Sequence, residues 1–128
     1  MIVVTAAIWC EEGRVLLARR RAGRPHGGRW EFPGGKLRPG ETPQEALGRE
    51  LREELGVEAR VGAFFGESRD AASRPPIRLL AYRIDGADGR PRCLDHAELR
   101  WVPVEELEDE LLCPADRPLA ALLRQEAA

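Results

Sequence analysis

What this chain of 128 residues lacks narrows it first. It has no C-x-x-C pair: Cys10, Cys93 and Cys113 stand far apart, which argues against a disulfide framework and against a zinc site. Reduced thiols are expected. It has no long apolar run, since Ile2 to Trp9 falls far short of the roughly 20 residues a membrane-spanning helix needs. That run has no basic leader and is followed by Glu11 and Glu12, so no signal peptide, no membrane partner and a cytoplasmic location are expected. It has no large excess of charge: the net value is −2 and the arginines are interleaved with acids, so nothing points to nucleic acid as a partner. It has almost no lysine. Of the 20 basic residues only Lys36 is lysine, directly after Gly34 and Gly35. No repeat, low-complexity tract or linker divides the chain, and its length suits one domain over residues 1–128.

What is present, 43% hydrophobic and 33% charged residues, is ordinary for a globular protein with a real core. Residues 2–9 and 14–20 read as strands joined by a turn at Glu11-Glu12-Gly13, and further strands are expected near 57–67, 77–84 and 98–103. Trp30 to Phe32 forms a short apolar segment after a loop rich in Gly, Arg and Pro. Thr42 followed by Glu45 is a capping-box signature, Pro43 suits the first helical position and Gly56 a left-handed stop, so a helix is expected over about 43–55. A second is expected over 114–125, with Leu119, Leu122 and Leu123 at helical spacing. Strands alternating with two helices make an α/β layered domain.

The first helix carries an unusual load. At 100° per residue Glu50, Glu53 and Glu54 fall within one arc, beside a stripe of Leu47, Leu51 and Leu55. Three neighbouring carboxylates repel by about 1 kcal/mol per pair even in solvent-like surroundings. A solvated helix face with surface ion pairs to Arg49 or Arg52 would be the plain explanation. Hard divalent cations, however, take carboxylate and carbonyl oxygens and keep phosphate oxygens as further ligands. The glycine turn ahead of the helix lets backbone groups approach a metal or phosphate with no side chain between. Together these features point to a magnesium-phosphate site.

Gly35 to Val57 reads G-x5-E-x7-R-E-U-x-E-E-x-G-U, U being bulky aliphatic, with Gly35, Glu41, Arg49, Glu50, Leu51, Glu53, Glu54, Gly56 and Val57 in the nine specified places of 23 residues. This resembles the Nudix hydrolases, which cleave a nucleoside diphosphate linked to another group. Trp30–Lys36, the Arg19-Arg20 pair, Trp101–Leu107 and Cys113–Leu119 are similar to the MutT-type branch, so the likeness covers roughly the whole chain. It implies a Nudix fold, an α/β/α sandwich around a central mixed β-sheet. The activity it implies is a Mg²⁺-dependent nucleoside triphosphate pyrophosphohydrolase, with Mn²⁺ able to substitute, acting in nucleotide-pool sanitation as a monomer or homodimer. A Nudix hydrolase of a nucleotide sugar or dinucleotide, and a module that binds without catalysis, are the alternatives.

Carried over position by position, the resemblance makes Glu50, Glu53, Glu54 and the Gly34 carbonyl metal ligands. Asp95 is a candidate extra ligand, with Glu98 its rival and a plain loop role the other possibility. Arg49 would hold a catalytic glutamate, with Glu53 taken as the base or water-orienting carboxylate; Glu41 and Arg49 could instead be a structural clamp. Lys36 suits a phosphate oxygen. Arg20 and Phe32 would meet the base, although Phe32 equally suits a core. Asp116, in Pro114-Ala115-Asp116, resembles the base-reading position of cytidine pyrophosphohydrolases, where oxidised-guanine scavengers carry asparagine. As an ionised acceptor it would suit the cytosine amino group, and guanine offers donors too. An N-cap role for Asp116 is the alternative. His26 and His96 are given surface or loop roles.

Overall fold

The computed structural model describes residues 1–128. Its strands are β1 (Ile2–Ile8), β2 (Cys10–Glu11), β3 (Arg14–Arg19), β4 (Trp30–Glu31), β5 (Glu58–Asp70), β6 (Ile77–Asp88) and β7 (Glu98–Pro103), and its helices are α1 (Pro43–Leu55) and α2 (Arg117–Ala127). β6 is the centre of a mixed sheet, parallel to β1 from Ile2↔Ile77 to Ile8↔Arg83 and antiparallel to β5. β3 centres a second, antiparallel sheet. It pairs with β7 along its whole length, from Arg14↔Pro103 to Arg19↔Glu98, and with β2 and then β4 on its other edge. The β2–β3 turn is tight because Glu12 and Gly13 both take positive φ, 53° and 77°.

Period-2 alternation explains why the strands read as continuous apolar runs: both faces are covered. Ala6 and Ile8 of β1, Val15 and Leu17 of β3, and Leu79 and Ala81 of β6 pack with Leu119, Ala120 and Leu123 of α2. Ala7, Leu16, Leu80 and Tyr82 point the other way, onto Leu47, Leu51 and Leu55 of α1. The expected α/β/α sandwich is the result. No helix is long and apolar enough to cross a membrane. All three cysteines are free, with Cys113 buried.

Two departures from the sequence reading have physical causes. β5 and β6 run to Asp70 and Asp88, past the expected ends, because backbone pairing continues through residues that are mostly polar and that the apolar pattern does not mark; β5 stays in pairing through register shifts between Arg60 and Gly66. The second helix begins at Arg117, and Pro114–Asp116 forms a separate 3-10 turn. Asp116 does not cap the helix with its side chain. Its carboxylate is engaged elsewhere.

Candidate active site

α1 starts as the sequence dictates. The Thr42 hydroxyl accepts from the Glu45 N–H at 3.1 Å, the Glu45 carboxylate accepts from the Thr42 N–H at 2.9 Å, and Gly56 closes the helix at φ 67°. Leu47, Leu51 and Leu55 are fully buried, so the carboxylate arc beside them is fixed in direction. The glycine turn is fixed with equal firmness. Pro33 and Gly35 carbonyls accept from the Ala7 and Thr5 N–H groups, each at 2.7 Å, and the Gly35 carbonyl also accepts from the Thr5 hydroxyl at 3.0 Å. A side chain at Gly34 would overlap the Thr5 carbonyl, and its φ of 156° is one that L residues rarely adopt. Gly35 leaves the space that the Glu50 carboxylate fills.

Arg49 ties the pieces together. Its largely buried guanidinium donates to both Glu41 oxygens at 2.7 and 2.9 Å, to Glu50 at 2.9 Å, to Glu53 at 3.4 Å and to the Lys36 carbonyl at 3.0 Å. The guanidinium holds the Glu41 carboxyl down at about 2, aided by the Arg38 N–H, and Glu41 and Glu50 hold the guanidinium's own proton more tightly than usual. Glu41 thus clamps loop to helix through Arg49. Glu53 is more exposed and pairs with both Arg49 and Arg38.

Arg20, Phe32, Gly34, Gly35, Lys36, Glu54, Asp95 and Asp116 line one cavity of about 330 Å³, while Arg49, Glu50 and Glu53 do not line it. Glu54 accepts from the Gly34 N–H at 3.2 Å and is pushed up to about 9, first by burial and then by the nearby Glu31, Glu50 and Asp95 charges. Asp95 sits where one of its oxygens and those of Glu54 and a His96 nitrogen lie within 4.8 Å of one another. Its rival Glu98 is turned away and paired with Arg19 and Arg100. Lys36 is exposed and makes no ion pair. Phe32 serves both expectations: it packs in the core beneath α2 and lines the cavity.

Asp116 does not serve as the side-chain cap that was its alternative reading. Its Oδ1 accepts from the Phe32 N–H at 3.0 Å instead of capping α2. Burial, with the Glu31 charge adding to it, raises its carboxyl well above the usual carboxylate range. His96 is also corrected: it is buried, with Nε2 2.9 Å from Glu31 Oε2. His26 is exposed at the cavity mouth. Sequence reasoning missed Glu31, whose other oxygen accepts from Arg20 at 3.1 Å. A single acid alternating with Trp30 and Phe32 was the available signal, because period 2 turns it away from the core that those two enter.

Comparison with known proteins decides the family. Residues 1–123 match the NUDIX domain, and the CTP pyrophosphohydrolase of Escherichia coli K12 is 43% identical over 119 residues, covering 93% of this chain and 88% of that relative. The chain belongs to the Nudix family. An 8-oxo-dGTP diphosphatase of Haemophilus influenzae is 32% identical over 124 residues, 97% of this chain and 91% of its own. The crystal structure of a MutT Nudix hydrolase from Burkholderia pseudomallei superposes with a TM-score of 0.84 at 30% identity, covering 94% of this chain and 96% of that one. The protein is a Nudix hydrolase, a pyrophosphohydrolase acting on nucleotides. Nudix hydrolases generally use a divalent metal, and the donor set fits one: hard carboxylate oxygens converge on Glu54, whose charge burial alone would suppress.

Proposed function

We propose that this Nudix hydrolase, acting as one domain over residues 1–128, is a Mg²⁺-dependent nucleoside triphosphate pyrophosphohydrolase. It releases a nucleoside monophosphate and pyrophosphate, from a cytidine-type or oxidised nucleotide, in nucleotide-pool sanitation. The observation that carries the reading is that one cavity joins the acids around Glu54 to the base-reading candidate Asp116. Phosphate chemistry and base recognition thus share one binding site.

Glu50, Glu53, Glu54, the Gly34 carbonyl and Asp95 are the residues that would hold the metal. When bound, the metal neutralises phosphate oxygens and lowers the pKa of water. The chain supplies the rest. Lys36, unpaired beside the glycine turn, binds a phosphate oxygen as a point charge. Arg49 is a positioning residue, fixing Glu50 and Glu53 against the loop through Glu41 and the Lys36 carbonyl. Glu53, the exposed one of the three helix glutamates, orients the attacking water and takes its proton.

At the other end, Phe32 and Arg20 flank the base and Asp116 addresses its edge. Oδ1 of Asp116 accepts from the Phe32 N–H, which leaves Oδ2 to address the base edge. Cytosine presents an amino donor from which such an oxygen can accept.

The test is pyrophosphate release with Mg²⁺ across CTP, dCTP, 5-methyl-dCTP, dGTP, 8-oxo-dGTP and ADP-ribose, compared as kcat/KM. A cytidine preference is expected. A preference for 8-oxo-dGTP would overturn the base assignment while leaving the metal site standing. A preference for ADP-ribose would overturn the triphosphate reading, and no release from any compound would overturn the enzyme reading itself. Asp116→Asn is expected to change the ranking of bases and to keep turnover, and an unchanged ranking would remove Asp116 from the base site.

A further inference from the structure

His96 lies outside the Nudix box, yet the fold gives it a place no surface residue would have. Its side chain is 5% exposed, and Nε2 stands 2.9 Å from Glu31 Oε2 and 4.0 Å from Glu54 Oε2. Nδ1 is buried with no partner. A nitrogen facing a carboxylate oxygen at that distance carries the hydrogen, so Nε2 donates and Glu31 accepts. The second Glu31 oxygen accepts from Arg20, so each carboxylate oxygen has its own donor and the carboxylate plane is fixed.

Strand pairing brings the two together. β4 and β7 flank β3, with Glu31 and Leu99 both opposite Ala18, and the Ala97 N–H donates to the Arg19 carbonyl at 2.9 Å, which pins the residue after His96 to the end of β3. Ala18 is fully buried and its methyl leaves room above it, on the α1 face, for an acid and an imidazole to meet. On that face Glu31 stands between Glu54, at the carboxylate cluster, and Arg20, which neighbours Asp116. Arg20 has two anchors, the Pro25 carbonyl on Nε at 2.7 Å and Glu31 on the guanidinium end at 3.1 Å, so Glu31 sets how that end is presented at the base end of the cavity.

The geometry points to His96 as a positioning residue for substrate selectivity: through its hydrogen bond it sets Glu31, and through Glu31 it sets Arg20, so that the base wall stands in fixed relation to the Glu54 cluster. This rests on the nucleoside triphosphate reading above. His96 does not touch substrate in this role; it acts through Glu31.

The experiment compares kcat/KM for CTP with kcat/KM for dGTP, at saturating Mg²⁺, in the parent, His96→Ala, His96→Gln, Glu31→Gln and the double variant Glu31→Gln/His96→Ala, with Tm recorded for each. His96→Ala is expected to change the CTP-to-dGTP ratio by about tenfold or more. His96→Gln places an amide donor at nearly the same reach and is expected to stay within about threefold of the parent ratio. In the Glu31→Gln background the further loss of His96 is expected to move the ratio less than about threefold, because the effect runs through Glu31. Equal loss on both nucleotides with a lowered Tm in His96→Ala would overturn the inference, leaving His96 a core residue, and so would a Gln variant that behaves like Ala. A parent inactive on both nucleotides removes the nucleoside triphosphate reading and this inference with it, whereas an active parent with an unmoved ratio removes this inference alone.

Discussion

Gly35→Ala tests the claim that the glycine turn is shaped around a carboxylate. A methyl added there would meet the Glu50 Oε2 and Oε1 atoms at 2.5 and 2.7 Å, while the backbone of Gly35 needs no left-handed φ. The collision is therefore with the far end of a flexible side chain and carries no backbone strain. Restoring ordinary contact, at about 3.5 Å between atoms, requires the carboxylate to withdraw by about 1 Å. That withdrawal breaks or lengthens its 2.9 Å bond to Arg49, a charge-assisted contact between side chains 12% and 17% exposed, for a loss of about 1–2 kcal/mol. In a chain of 128 residues this lowers Tm by roughly 3–8 °C. A 1 Å misplacement of a catalytic group costs on the order of 100-fold in rate, so kcat should fall far more than stability does. Thermal melts and pyrophosphate release on the same preparation measure both. A kcat within about threefold of the parent would refute the placement of Glu50 in the reacting constellation. Gly34→Ala supplies the contrast, because its methyl meets the main chain of β1, with the Thr5 carbonyl carbon at 2.7 Å and Ala6 Cα at 3.0 Å. Neither can move cheaply, and a loss of about 3 kcal/mol or more is expected.

Glu53→Gln should keep the parent Tm and lose most turnover, since Glu53 is 46% exposed and its ion pairs are worth little to the fold; a near-normal rate would move the water-orienting role to another glutamate. Leu51→Ala, at a position with no exposure between α1 and the sheet, should cost about 2–5 kcal/mol in denaturant unfolding, and a cost below about 1 would show that the leucine stripe does not hold the carboxylate arc in place. Glu67 is held at about 2 by Arg78 and Arg69, below its ordinary 4.5, so its contribution is present above pH 4.5 and is lost as pH falls toward 2. The Tm gap between the parent and Glu67→Gln should accordingly be full at pH 7 and close across that window; a gap that persists unchanged at low pH would mean that it does not arise from ionisation. Mg²⁺ with a bound nucleotide should raise the parent Tm, because both favour the folded state, and a melt unmoved at millimolar Mg²⁺ would count against the carboxylate site.

Local chemistry made α1 legible. The capping box of Thr42 and Glu45, Pro43, the Leu47–Leu51–Leu55 stripe and Gly56 are all set within one helix, where 3.6-residue periodicity links sequence to direction. The glutamate arc and the glycine turn were legible for the same reason. The Nudix pattern in Gly35–Val57 carried the family as well, which the match over residues 1–123 bears out. What sequence order could not supply was adjacency between residues far apart along the chain. Glu31 and His96 are 65 positions apart and meet only because β4 and β7 flank β3. Asp116 read as a base-edge acceptor with a helix cap as its alternative, and neither its burial nor its bond from the Phe32 N–H, 84 positions away, was legible in sequence order. Ionisation and burial depend on which groups converge in space, so the sequence by itself determined the helix, its carboxylates and the family. Only the tertiary structure decided which acids share a cavity, which carboxyls burial shifts upward, and which histidine stands among them.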